Sequence, residues 1–131
     1  MTMTQPQVPV GPDQLAPLHL DAQQRAQLRE MLEYVASLHR ADRIDPLRFD
    51  IDLAEVERLL AMVKRAKFEM TLLLSLADVR HLEVIVEAAG TYASRRDLSG
   101  MASVEPDDCW QLAEWLSTSA SSSFLRDTRV H

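Results

Sequence analysis

The chain has 131 residues, a net charge of −6 and a pI near 5.1, with 47% hydrophobic and 26% charged residues. That length suits one domain, and that balance suits a globular chain rather than a disordered one. An acidic chain with no basic run is a poor partner for the phosphate backbone of a nucleic acid. A single cysteine, Cys109, excludes an internal disulfide and a Cys-rich zinc site, which fits a reducing cytoplasm.

Aromatic residues make up only 5%, so Leu, Val, Ile, Met and Ala must build the core, and three glycines are too few for a turn-rich sandwich or barrel. Helices are therefore expected. No run of about 18 uncharged apolar residues exists, so no membrane span is expected. Met1 to Leu20 lacks the basic start and continuous apolar stretch of a secretory signal. Its spaced prolines, Pro6, Pro9, Pro12 and Pro17, read as a flexible Pro-rich arm over 1–20. Leu15, Leu18 and Leu20 are placed to pin the end of that arm to the core.

Asp21 opens the first helix, with Gln24 in the position of a capping box. Leu28, Met31, Leu32, Val35 and Leu38 follow at helical spacing. His39 and Arg40 suit the negative end of the helix dipole. Residues 41–52 form a connection with a turn at Asp45-Pro46. There Leu47, Phe49 and Ile51 alternate with polar residues, as in an extended segment laid on the core.

Asp52, with Glu55 three residues on, opens a second helix. Val56, Leu59, Leu60, Val63, Ala66, Met70 and Leu73 form its stripe, and Arg58, Lys64, Arg65 and Lys67 its wet side. Continuing that stripe past Ala77 predicts apolar residues at Arg80 and His81, where there are none. The apolar set restarts in another phase at Val79, Leu82, Ile85, Val86, Ala89 and Tyr92. A phase slip means a break, and Ser75 with Asp78 matches another capping box. The favoured reading is a break near 75–78 and a third helix to about Arg96. An α+β alternative places a hairpin here: Phe68, Met70, Leu72, Leu74 and Leu76 alternate, as do Leu82, Val84 and Val86. The absence of a turn pair such as Asn-Gly argues for helices.

Asp97, Ser99, Gly100 and Pro106 mark a loop. A short fourth helix is expected from Asp107 to Ser117, with Cys109, Leu112, Ala113 and Leu116 inside and Trp110 and Trp115 flanking. The Ser-rich remainder, 118–131, reads as a flexible tail. The expected fold is all-α: a small four-helix domain over 21–117 with a long antiparallel central pair, between flexible tails.

Catalytic motifs are weak. Asp78-x-x-His81, with Glu83 nearby, suggests a partial metal-edge cluster, but one half-motif does not close a site. Two acids precede Cys109, and acids raise a thiol pKa, so it reads as a structural cysteine. The paired carboxylates each suit a helix start, and no Gly-rich phosphate loop is present. No cofactor, metal or enzymatic activity is expected.

Leu72, Leu73, Leu74 and Leu76 would nearly encircle a helix, and a helix apolar all round is buried on all sides. A small domain has little to cover it, so Leu72, Leu73, Leu76, Trp110 and Trp115 are the expected contacts with a larger protein or a second copy. The expectation is a non-enzymatic, cytoplasmic protein-binding regulator of the anti-activator, immunity or chaperone type, acting through helices as a homodimer. The alternative is an accessory subunit of a multi-component enzyme.

Overall fold

A computed structural model describes residues 15–66, 71–95 and 101–125. Several expected features lie outside the described residues: the prolines at 6, 9 and 12, the stripe residue at 70, the start of the alternation at 68, the loop markers at 97, 99 and 100, and the last six residues. The described elements run β1 (Leu15–His19), α1 (Ala22–Arg40), α2 (Leu53–Arg65), β2 (Thr71–Ser75), α3 (Leu76–Ala93) and α4 (Pro106–Leu125). The chain is thus a mainly helical small domain with a two-stranded sheet. Among the described residues no helix is long and apolar enough to cross a membrane.

The helix starts follow the capping chemistry. The Gln24 N–H donates to the Asp21 carboxylate at 2.7 Å, and the Asp21 N–H donates back to the Gln24 side chain at 3.0 Å. Ser75 and Asp78 make the same reciprocal pair at the start of α3. At α2 only half of the expected box forms. Asp52 accepts from the Ala54 N–H at 3.0 Å, while Glu55 turns instead to Arg58. An arginine one turn along offers a charge-assisted partner, which is stronger than a return bond to a neutral N–H.

α1 ends in a Schellman motif. The Arg43 N–H donates to the Leu38 carbonyl and the Asp42 N–H to the His39 carbonyl. Asp42 takes the left-handed conformation this motif needs (φ 56°), one that aspartate tolerates better than most residues. The connection then folds back at Asp45-Pro46, and the Asp45 N–H donates to the Tyr92 hydroxyl of α3 at 2.8 Å. Phe49 is buried and Ile51 partly so, but Leu47 points to solvent.

Between α2 and α3 the structure corrects the helical reading. α2 ends at Arg65, and Thr71–Ser75 is a strand. Its partner is β1, drawn from the stretch read as a flexible arm. The pairing is antiparallel, with Leu15 opposite Ser75, Pro17 opposite Leu73 and His19 opposite Thr71. Extended backbone sends alternate side chains to opposite faces. Leu18, Leu72 and Leu74 therefore turn into the core, while Leu15, Pro17 and Leu73 face outward. The four leucines do not encircle a helix. The extension of the stripe through Leu73 fails because strand pairing with β1 satisfies the backbone and buries Leu72 and Leu74 together.

The core gathers Leu28, Met31, Leu32 and Val35 of α1, Val56, Leu59 and Val63 of α2, Val79, Leu82, Ile85 and Val86 of α3, and Cys109, Leu112 and Leu116 of α4. Each such aliphatic burial is worth about 1.5–3 kcal/mol. α3 packs most extensively on α4, then on α1, and α1 in turn packs on α2. α4 starts with Pro106 in its first turn and runs well past Ser117, the end expected from its serines. Thr118 accommodates the helix by donating its hydroxyl to the Glu114 carbonyl at 3.0 Å.

Gly90 sets the spacing of α3 and α4. A Cβ there would lie 2.9 Å from Cys109 Cβ and 3.0 Å from the Trp110 ring. Gly90→Ala should lower stability by about 1–3 kcal/mol through forced separation of the helices. That loss outweighs the roughly 1 kcal/mol alanine gains over glycine inside a helix. Urea titration reads the difference, and an unchanged or raised midpoint would show that the helices part freely.

Candidate functional site

The most chemically dense place is where α2 and β2 meet the start of α3. Asp78 lies in the first turn of α3, almost buried, and accepts from the Ser75 N–H at 3.3 Å. Arg58 of α2 donates to Asp78 and also reaches Glu55 with two nitrogens, at 2.8 and 3.0 Å. His81, one turn beyond Asp78, places Nδ1 3.4 Å from Glu55. The result is a chain Asp78–Arg58–Glu55–His81. It borders a cleft of about 330 Å³ lined by Asp50, Ile51, Asp52, Glu55, His81, Val84 and Ile85.

The charges explain one another. Burial pushes the Asp78 carboxyl up, but hydrogen bonds from Arg58 and Ser75 outweigh it and hold the group below the ordinary carboxylate range. The Arg58 hydrogen bond likewise holds Glu55 down. Arg58, between the two carboxylates, is raised further above the range in which it could lose its proton.

Glu55, Asp78 and His81 bring donor atoms within 4.8 Å of one another, the spacing a metal ion would need. This places Asp78 and His81 together, as their i, i+3 spacing implies, but the third donor is Glu55 and not Glu83. Residues two apart on a helix point to nearly opposite faces, so Glu83 lies in a different groove with Glu87. The set fits a metal poorly, because the Arg58 guanidinium already occupies the position of the cation. As an acid–base site the cleft offers His81 beside Glu55, yet its lining contains no serine, threonine or cysteine to activate.

Asp78 folded below its ordinary pKa stabilises the domain above the carboxylate range and loses that contribution as pH falls through its folded value. Asp78→Asn should cost about 1–2 kcal/mol at neutral pH, where it weakens a helix cap and an ion pair with half-exposed Arg58. The gap to the wild type should shrink as the pH is lowered past the carboxylate range. Urea midpoints at neutral and acid pH give the comparison; a pH-independent gap would show that the charge of Asp78 is immaterial.

Cys109 is fully buried against Gly90, and burial, with a lesser push from Asp108, drives its thiol up to about 12. Burial and the nearby Cys109 also raise Tyr34, whose buried hydroxyl has no hydrogen-bond partner among the described residues. These groups make a packed, thiol-bearing core and no nucleophile. Native protein should leave Cys109 unreactive toward an aromatic disulfide reagent at neutral pH, with one thiol appearing only on unfolding. Rapid labelling of the folded chain would restore a chemical role for it.

The expected contact residues separate into two groups. Leu72 is buried, and Leu76 and Trp115 are partly buried against the core. Leu73 and Trp110 are exposed, at 58% and 41%. Sequence reasoning missed Leu15, which is 57% exposed on the same sheet face as Leu73. Its signal was the alternation Leu15, Pro17, His19 against Ala16, Leu18, Leu20. Trp110 lies elsewhere, in a groove between α3 and α4.

Compared with known proteins, the chain matches no family model, no curated protein and no solved structure.

Proposed function

We propose that the chain is a non-enzymatic protein-binding regulator, of the anti-activator, immunity or chaperone type, that works as a homodimer. One observation supports this reading: on the outer face of the β1–β2 sheet Leu15, Pro17 and Leu73 lie side by side in water, at the end away from the hydrogen-bonded His19–Thr71 pair. A surface leucine alone means nothing, but adjacent apolar side chains on a sheet with unpaired edges favour association.

The sheet has only these two strands among the described residues, so the second edge of β2 has no strand partner. Antiparallel pairing of β2 with its mate across a twofold axis would give a four-stranded sheet. The two outer faces would then join into one wider apolar platform for a larger protein. Recognition in this reading is by a sheet rather than by the leucine-ringed helix expected from the sequence. The cytoplasm suits a chain whose single thiol sits reduced in its core.

Two substitutions at neighbouring positions separate face from core. Leu74→Asp buries a charge and should unfold the domain. Leu73→Asp should leave stability within about 0.5 kcal/mol of wild type, because the side chain is already in water. The folded Leu73→Asp protein should lose the partner that wild type retains on affinity purification from native cells. Light scattering of wild type should give twice the chain mass. Identical captured proteins for wild type and Leu73→Asp would contradict the proposed face, and a monomer mass would remove the dimer.

A further inference from the structure

We infer that the groove between α3 and α4 is a docking site for a basic amphipathic helix of a partner protein. This rests on the protein-binding role proposed above but concerns a separate surface, away from the sheet residues. The groove encloses about 700 Å³ and is open to solvent along the two helices.

Its floor is set by the close approach at Gly90. With no side chain there, the Trp110 ring lies against α3, and the indole remains partly exposed beside Thr91 and Glu87. The walls are acidic. Glu83 and Glu87 stand one turn apart on α3, and like charges at that spacing repel. Glu114 faces them from α4. None of the three carboxylates forms an ion pair among the described residues.

The positive charges nearby are few. Arg48 lines the groove but is stacked over Phe49, 5.4 Å from the ring centroid. Arg80, three residues before Glu83 on the same helix, lowers Glu83 only as the least of its influences. Burial, followed by Glu87, holds Glu83 above the ordinary carboxylate range. A half-desolvated carboxylate beside a like charge gains on meeting a cation.

That combination selects a partner chemistry. Lysine or arginine side chains would relieve the repulsion between Glu83 and Glu87. One of them would also find the face of a part-exposed tryptophan, the aromatic side chain that binds cations best. A third helix laid between α3 and α4 would set its apolar stripe over Trp110 and its basic flanks against Glu83, Glu87 and Glu114, which is the helix-in-groove mode. Outside the groove, Glu33 pairs with Arg29 and Glu57 with Arg40. In the groove three carboxylates without an ion pair among the described residues lie beside a part-exposed tryptophan.

The test uses the full chain and a synthetic amphipathic Leu/Lys helical peptide, with a Leu/Glu peptide of the same length as control. Both tryptophans report through fluorescence. The Leu/Lys peptide should shift the emission and bind, with affinity falling about tenfold or more between low and high salt. The combined Glu83→Gln, Glu87→Gln and Glu114→Gln variant should weaken binding by about tenfold or more. Glu33→Gln with Glu57→Gln, which removes other acids, should leave it unchanged.

Equal binding of the Leu/Glu peptide, wild-type affinity in the groove variant, or an equal loss in the Glu33/Glu57 control would each overturn the proposal. Leu73→Asp should bind the peptide normally. Should the groove fail while Leu73→Asp still loses the native partner, the docking site falls and the protein-binding role stands.

Discussion

The Asp78 carboxylate sits where β2 becomes α3, accepting from the Ser75 N–H and from the Arg58 guanidinium of α2. With those bonds it ends the strand, starts the helix and ties both to a helix formed earlier in the chain. The joint fixes where β2 ends, and the pairing with β1 sets which of its leucines face inward. Leu74, next to Ser75, is in the core, and Leu73 faces out. A partly buried carboxylate of this kind is sustainable only because its ligands are charge-assisted or aligned with a helix start. Removing either partner leaves a cost that the other cannot absorb.

From this joint the two halves of the surface acquire different characters. On one side, the strand pairing leaves Leu15, Pro17 and Leu73 in water on the outer sheet face. On the other, α3 carries Glu83 and Glu87 toward α4, where Gly90 admits the Trp110 ring. Between them lies the cleft with His81 and Glu55, where Arg58 bridges Glu55 and Asp78. In the proposed reading, the sheet face and the acidic groove are the two surfaces that meet a macromolecule.

Much of the helical frame was legible in the sequence, because caps are local. Asp21 with Gln24, Asp52, and Ser75 with Asp78 each mark a helix start that forms, and the phase slip at Arg80 and His81 marks the break before α3. The strand was not legible. Leu72, Leu73 and Leu74 are identical side chains and carry no period, and their partner lies far upstream beside Pro17. Proline is compatible with an edge strand but argues against a strand when read alone. The long α4 was hidden by its serines, whose weak helix preference reads as a helix end. At the charged cleft, Asp78 and His81 could be grouped from their spacing. Glu55 and Arg58 could not, because they arrive from another helix. Glu83 was grouped with them by proximity in sequence, against the geometry of the helix that carries it. Leu72 was expected at an interface and is core, a consequence of the same helix-for-strand error.

The pairing of Thr71–Ser75 with Leu15–His19 decides which leucines are core and which are surface. Nuclear magnetic resonance of the labelled chain tests it directly. Extended-type chemical shifts over Thr71–Ser75, with cross-strand contacts between Pro17 and Leu73 and between Leu18 and Leu72, are the predicted result. Helical shifts across Thr71–Ser75, with no contact to Leu15–His19, would contradict it.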